Sequence, residues 1–393
     1  MQATAALTPL DYARRACDTM MRKYAAVDLP PKGHFHYHQG VFLSGVLKTW
    51  RLTRDRAYLD YAAEWVDSVF TADGKIKVYD HADLDDIQPG ILLYTLLDAT
   101  GDEKYLACLN NVAAQIKDIP RCECGGFYHK VSFQRQMWLD GIYMLGPFAA
   151  EYARRFDQPE LMEEIVKEIL LMREHTWDEK TGLWYHAWDE SCQAPWCDKE
   201  TGLAPEFWGR SIGWVPVGVQ DVMAQMEPGQ AAYQALAAVV KDLLESVMRF
   251  QSEDGRWYQV VNKGGMEGNW LENSCSCLFA AGLARAARTG LVGEEALDAA
   301  QRAFDGVVRS LEWDGGDLLV NHVCVGTGVG DYRFYCERPC STNDLHGVGA
   351  FLLMCAELEE AKVPDAFGIS PKTGKAGMNQ REKHEEAAQE GME

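Results

Sequence analysis

No run of about 18 apolar residues occurs anywhere in this 393-residue chain, so an ordinary membrane-spanning helix is not expected. Positive charge is also scarce. Lys and Arg number 38 against 59 Asp and Glu, a net charge of −21. Nucleic acid requires a basic footprint for its phosphates, and that class of partner is excluded. The start, MQATAALTPLDYARRACDTM, lacks a basic stretch leading into a sustained apolar one, so a secretory signal is not expected and a cytoplasmic location is. Twelve cysteines in such a chain read as free thiols in a reducing compartment. The pairs Cys122/Cys124 and Cys275/Cys277 are C-x-C rather than the C-x₂₋₄-C spacing of structural zinc sites, so no metal is expected and no cofactor. The nucleophile elbow, the P-loop and the dinucleotide fingerprint are missing as well.

What is present is a repeat. Six times a Gly-rich or aromatic-rich stretch runs into a helix: HFHYHQGVFLSGVL (34–47), LDDIQPGILLYTLL (84–97), QMWLDGIYMLGPFA (136–149), FWGRSIGWVPVGV (207–219), WLENSCSCLFAAGL (270–283) and STNDLHGVGAFLLM (341–354). Between these lie six plainer helices, over 10–25, 57–70, 104–117, 159–175, 230–250 and 294–312. Each of them has apolar residues at i, i+3, i+4 and i+7.

The helices after the junctions are apolar nearly all round and rich in Gly, Ala and Ser, which is the pattern of a helix buried on most sides. Twelve alternating helices predict an all-α closed ring of six helical hairpins, small-residue helices inside and amphipathic ones outside. Gly-containing loops at 74, 125–126, 182, 255 and 315–316 lead toward the inner helices, and VYDHAD and RWYQVV have the composition of short strands at the mouth. A single domain over 1–363 is expected. From residue 364 to 393 the chain is polar and aperiodic, as in disordered segments. An open solenoid scaffold is the competing architecture, but scaffolds rarely concentrate Trp, His and Asp at one end of alternate helices.

If the ring closes, the junctions bring many polar and aromatic groups together. They include the His34/His36/His38 series with Tyr37, the acids Asp83, Asp85 and Asp86, and the bases His129, Lys130 and Arg135. Trp138, Asp140, His186, Trp188, Trp208, Arg210, Trp270, Glu272, Asn273, Asn343, Asp344 and His346 complete the set. Aromatic faces beside carboxylates and amide or imidazole donors suit a carbohydrate: C–H faces stack, hydroxyls hydrogen-bond, and a carboxylic acid works on the glycosidic centre. Asp140 either caps its helix or does chemistry with a pKa raised by apolar neighbours. The run 83–86 offers a second carboxylate or simply a cap. His186 lies among aromatics on a loop. Arg210 carries the planar fork that clamps a carboxylate. The three alternating histidines cannot all face one way, and a metal pair there lacks carboxylate company in its own segment.

Seven motifs in order, HYHQGVFLSGVL, LDDIQPG, QMWLDGIYM, TGLWYHAWDE, EFWGRSIGW, WLENS and STNDLHG, closely resemble the unsaturated rhamnogalacturonyl hydrolases of glycoside hydrolase family 105. The resemblance spans residues 10 to 360. It implies an (α/α)₆ barrel and a cytoplasmic enzyme that releases a 4-deoxy-4,5-unsaturated galacturonyl residue from short pectin-derived oligosaccharides, typically from rhamnose. Its acid/base aspartate falls on Asp140 and the partner aspartate on Asp85. Substrate contacts fall on His36, Tyr37, Lys130, Trp138, His186, Trp208 and Arg210. Asp86 follows Asp85 where relatives can carry a neutral residue, and WLENSCSC carries thiols where relatives have other small residues. The family's chemistry is hydration of the C4=C5 enol ether.

The expected partner is thus a small anionic oligosaccharide, bound by a monomer or weak homodimer. The alternatives are an unsaturated glucuronyl hydrolase acting on glycosaminoglycan fragments, an inverting glucanase on the same barrel, and a sugar-binding toroid without catalysis.

Overall fold

A computed structural model of the chain describes residues 7–79 and 83–362. Thirteen helices occur among them. Outer helices are α1 (Pro9–Lys23), α3 (Arg56–Val69), α5 (Lys104–Gln115), α7 (Pro159–Thr176), α9 (Ala231–Met248) and α11 (Glu295–Ser310). Inner helices are α2 (Tyr37–Thr53), α4 (Ile91–Thr100), α6 (Asp140–Arg155), α8 (Gly209–Met223), α10 (Asn273–Arg288) and α13 (Leu345–Ala361), while α12 (Tyr332–Cys336) is one short turn beside the sixth junction.

The division follows from the side chains. Helix α8 is buried along almost its whole circumference, whereas α11 buries a stripe of Ala, Phe and Val and exposes its charges. Local signals set the ends: Thr8 and Asp11 form a reciprocal capping box at the start of α1, with Pro9 in its first turn.

The ring closes. Helices α2 and α4, α6 and α8, α8 and α10, and α10 and α13 pack as neighbours, and α13 returns onto α2. The α4–α6 step is made by the Tyr94 hydroxyl donating to the Phe148 carbonyl at 2.9 Å. Each outer helix packs on an inner one. The closing seam depends on a missing side chain: a Cβ on Gly349 would lie 2.6 Å from the Val41 carbonyl oxygen, so only glycine allows these backbones so close. The all-α six-hairpin ring expected from the repeat is the observed fold.

Every inner helix begins at the same end as its junction, and short antiparallel pairs sit there. They are β1 (Gln136–Trp138) with β2 (Ala187–Asp189), β3 (Trp257–Tyr258) with β4 (Leu271–Glu272), β5 (Glu312–Asp314) with β6 (Asp317–Leu319), and β7 (Val323–Cys324) with β8 (Cys340–Ser341). Strand β3 falls within RWYQVV as expected. VYDHAD lies partly outside the described residues, and its described positions form no strand. The expected tail 364–393 also lies outside them. No described helix is long and apolar enough to cross a membrane. All twelve cysteines are free thiols.

Candidate active site

The junctions do converge. In the third, Trp138 pairs with Ala187 across β1–β2, and the Leu139 N–H donates to the His186 carbonyl at 3.0 Å. That register sets the next residue, Asp140, beside the His186 ring, with Nε2 3.1 Å from Asp140 Oδ2. Asp140 is the first residue of α6, but the cap position is Leu139 and no side chain caps it. The carboxylate therefore faces His186 rather than its own helix, with 13% of its side chain open to solvent.

The environment of Asp140 corrects one expectation. Burial does push its carboxyl upward, yet the His186 hydrogen bond and the nearby His186, His129 and Arg210 outweigh it and leave the pKa below the usual carboxylate value. Apolar neighbours alone predicted the opposite sign. In the resting enzyme Asp140 is a carboxylate.

The walls are aromatic. Trp138 is stacked with both His129 (centroids 4.6 Å) and Phe133 (4.9 Å), and Trp208 lies tilted against His186 at 4.6 Å. The Trp208 indole N–H is buried and has no hydrogen-bond partner among the described residues.

Asp85 sits in a 3₁₀ turn over Leu84–Asp86 that precedes α4 and is 5% exposed. Lys130 Nζ lies 2.5 Å from its Oδ2, His129 Nε2 3.7 Å from Oδ1 and His36 Nε2 3.9 Å from Oδ2. Burial raises its pKa, but the surrounding positive groups, Lys130 first, hold it far below the ordinary range. Lys130 is in turn raised by Asp85 despite burial. Burial keeps His36 and His129 low, against the pull of Asp85. Asp86 is half-buried, whereas Asp85 holds the ion pair.

Tyr37 opens α2 between His36 and His38, with ring centroids 4.6 and 4.3 Å away. Its hydroxyl feels the charges of Asp85, Arg210, Asp140 and Asp344, and burial above all raises its pKa. This one residue, in the first junction, thus reports that five junctions meet. Arg210 is 2% exposed, with NH1 donating to the Cys324 carbonyl at 2.6 Å and NH2 to the Val325 carbonyl at 2.9 Å. Much of the expected carboxylate fork is taken up by the chain itself, and Arg210 stands as a fixed positive charge beneath the mouth. The six inner-helix N-termini add the positive ends of their dipoles at this same end.

Other junction residues lie elsewhere. His34 is exposed, Arg135 pairs with Glu123 on the surface, and Trp188 stacks on His175 at 3.7 Å. Trp270 packs beside the Trp208 and Tyr335 cluster. Glu272 caps α10 through the Cys275 N–H and also accepts the Cys324 N–H. Asn273 and Asn343 bind backbone around Val320 and Asn321. Asp83 accepts the Val131 N–H.

Among the described residues, two groups gather three donor atoms that could share a cation: His38, Asp344 and His346, and Cys122, Cys124 and Glu190. In the first, His346 Nδ1 is 2.7 Å from Asp344 Oδ1 but without hydrogen-bond alignment. The two Glu190 oxygens accept the Glu123 and Cys124 N–H groups.

The sequence reading missed one contributor. The stretch GTGVGDYRFYC (326–336) crosses the mouth, with Gly326 3.7 Å from the Tyr37 hydroxyl and Gly328 3.8 Å from Trp138, measured from the position a Cβ would take. It delivers Tyr335, fully buried, whose hydroxyl lies 2.6 Å from His186 Nδ1. Three glycines followed by three aromatics were the available signal, but the segment precedes no inner helix.

Six hairpins with carboxylates, imidazoles and indole faces gathered at one end define an (α/α)₆ carbohydrate-active enzyme. Residues 12–362 match the model described as Glycosyl Hydrolase Family 88, so the chain belongs to that family and is a glycosidase. It is similar to a solved glycoside hydrolase of family 105 from C. acetobutylicum ATCC 824, with 31% identity, TM-score 0.84, and coverage of 89% of this chain and 99% of that one. The unsaturated rhamnogalacturonyl hydrolase YesR of Bacillus subtilis strain 168 is 25% identical over 330 residues, covering 82% of this chain and 89% of its own. A solved unsaturated glucuronyl hydrolase specific for heparin shares the fold at 14% identity, with TM-score 0.69 over 90% of this chain and 97% of that one.

Proposed function

We propose that the enzyme releases a terminal 4,5-unsaturated galacturonyl residue from short rhamnogalacturonan oligosaccharides by hydrating its C4=C5 enol ether. The observation that carries this reading is Asp140, partly open to the mouth, flanked by Trp138 and bonded to His186 at 3.1 Å. The family membership and the likeness to YesR support it.

In this reading the bound uronate brings a second negative charge and expels water. Both effects push Asp140 back up from its depressed resting value, so that it takes up a proton from solvent. Asp140 then gives that proton to C4. Positive charge develops at C5, shared with the ring oxygen, and water adds to C5 while its proton returns to Asp140. The product is a hemiketal. It opens to a ketone at C5, the freed C1 hemiacetal collapses to an aldehyde, and the aglycone leaves as an alcohol. One water is consumed and no other bond changes.

Carbon protonation is intrinsically slow, so positioning dominates. Trp138 and Trp208 wall the sugar, and Lys130 holds Asp85 ionised. His36, Tyr37 and Asp85 face the ring hydroxyls, while Arg210 and the helix termini balance the uronate charge. The enzyme works in the cytoplasm, without a metal or cofactor, as a monomer or weak dimer.

Incubation with an unsaturated rhamnogalacturonan disaccharide is expected to bleach its ultraviolet band. Asp140→Asn keeps an oxygen for the His186 N–H but holds no transferable proton. It should lower kcat by at least about 10²–10⁴-fold with little change in affinity. Full activity of that variant, or turnover of saturated glucans in place of unsaturated uronides, refutes the reading.

A further inference from the structure

The hydrogen bonds around His186 can be counted. Tyr335 Oη accepts the Gly330 N–H at 3.2 Å. Its other partner among the described residues is His186 Nδ1 at 2.6 Å, so its own proton has one place to go. On the far side of the ring, Asp140 as a carboxylate can only accept, so His186 Nε2 must carry the hydrogen in the 3.1 Å contact. The two ends agree on one neutral tautomer, with Nδ1 a bare lone pair and Nε2 protonated. The cage fixes the ring as well: Trp208 at 4.6 Å, Trp138 at 5.3 Å and Tyr335 itself at 5.9 Å surround it.

We propose that Tyr335 is a positioning residue that locks His186 in the Nε2–H tautomer and thereby fixes both the orientation and the proton inventory of Asp140. Its role in turnover rests on the function proposed above; the tautomer itself does not. A partner that holds the second ring nitrogen of a working histidine is a familiar device in metal and hydrolase sites.

Two consequences follow. His186 donates a hydrogen bond but not a proton, because passing Nε2–H to Asp140 would require Tyr335 to surrender its own. Burial makes the tyrosinate inaccessible. The proton that Asp140 delivers therefore comes from solvent. Secondly, the strap over 326–336 is part of the catalytic apparatus. Gly330 presents the N–H that orients the tyrosine, and a Cβ there would fall 2.3 Å from the Phe334 ring.

Tyr335→Phe removes one oxygen and preserves the ring stack. Loss of the O–H frees the other tautomer, whose bare Nε2 favours a protonated Asp140. The expected results are a kcat lowered by about 10–100-fold, a nearly constant KM, and the Asp140-dependent limb of the pH–kcat profile moved to higher pH. In a His186→Ala background the same substitution should change kcat by less than about 2-fold, because its effect passes through the imidazole. Equal losses with and without His186, or an unshifted pH profile, overturn the proposal. Nitrogen-15 NMR of histidine-labelled wild-type protein supplies an arm that needs neither turnover nor a variant. His186 is expected to show a protonated Nε2 and a bare Nδ1, and the reverse pattern overturns the lock. Failure to act on any unsaturated uronide, with this NMR pattern intact, counts against the proposed function alone.

Discussion

Removing the ammonium from Lys130 while keeping its stem, as in Lys130→Met, isolates the charge that holds Asp85. Asp85 is 5% exposed with Lys130 Nζ at 2.5 Å. Breaking such a pair from one side costs about 3–5 kcal/mol, because a buried charge is left behind. Two features place this case at the lower end, about 3 kcal/mol. The Lys130 side chain is 24% exposed, and His36 and His129 remain within 4 Å of Asp85. Their help is limited, since burial biases both toward the neutral form.

The pH dependence has a definite sign. The folded pKa of Asp85 is depressed, so its contribution is present above the unfolded carboxylate value of about 4 and fades as pH falls below it. The gap between wild type and variant should be widest near neutrality and narrow in acid. Replacing both partners, Asp85→Asn with Lys130→Met, leaves no bare charge and should recover at least about 1 kcal/mol of the single variant's loss. Urea denaturation at neutral and acidic pH measures all three proteins. A single-variant loss under about 1 kcal/mol, or a double variant no more stable than the single, refutes the argument.

Two further perturbations test other parts of the molecule. Glu168 of α7 is buried, and burial raises its pKa from 4.5 to about 7, although the Phe127 N–H donates to it. A raised carboxyl contributes fully below its unfolded value and loses that contribution as pH climbs to 7. Glu168→Gln should therefore flatten the stability profile across that window and be more stable than wild type above it, by up to about 3 kcal/mol in thermal unfolding. Arg210→Ala removes the fixed charge and one of the two donors to each of the Cys324 and Val325 carbonyls, which keep His346 Nε2 and the Thr327 hydroxyl respectively. KM for an unsaturated uronide should rise by at least about 10-fold, and an unchanged KM in steady-state kinetics denies Arg210 any part in binding the anion.

The ring was legible because its signal is local and repeated. An inner helix such as α8 must be apolar all round and an outer one such as α11 only on a stripe, and no long-range information is needed to see that. Asp140, Trp138, Tyr37 and Arg210 were legible for the same reason, since each opens or immediately precedes an inner helix. What escaped was relational. The sign of the Asp140 pKa depends on His186, 46 positions away in the chain, and burial alone pointed the wrong way. The company missing from the histidine series was Asp344, which the junction before the closing helix supplies from the far end of the chain. Tyr335 escaped because its segment crosses the mouth without starting a helix, so the repeat gave no reason to look there. LDDIQPG also does not run directly into α4. Two 3₁₀ turns intervene, and the first of them holds Asp85.

The grip of Arg210 on two peptide oxygens is blind to which side chains residues 324 and 325 carry. Substitutions along the crossing strap can then alter what the entering saccharide touches while the strap's path stays anchored. That anchor therefore uncouples the surface met by the entering saccharide from the reacting centre beneath it.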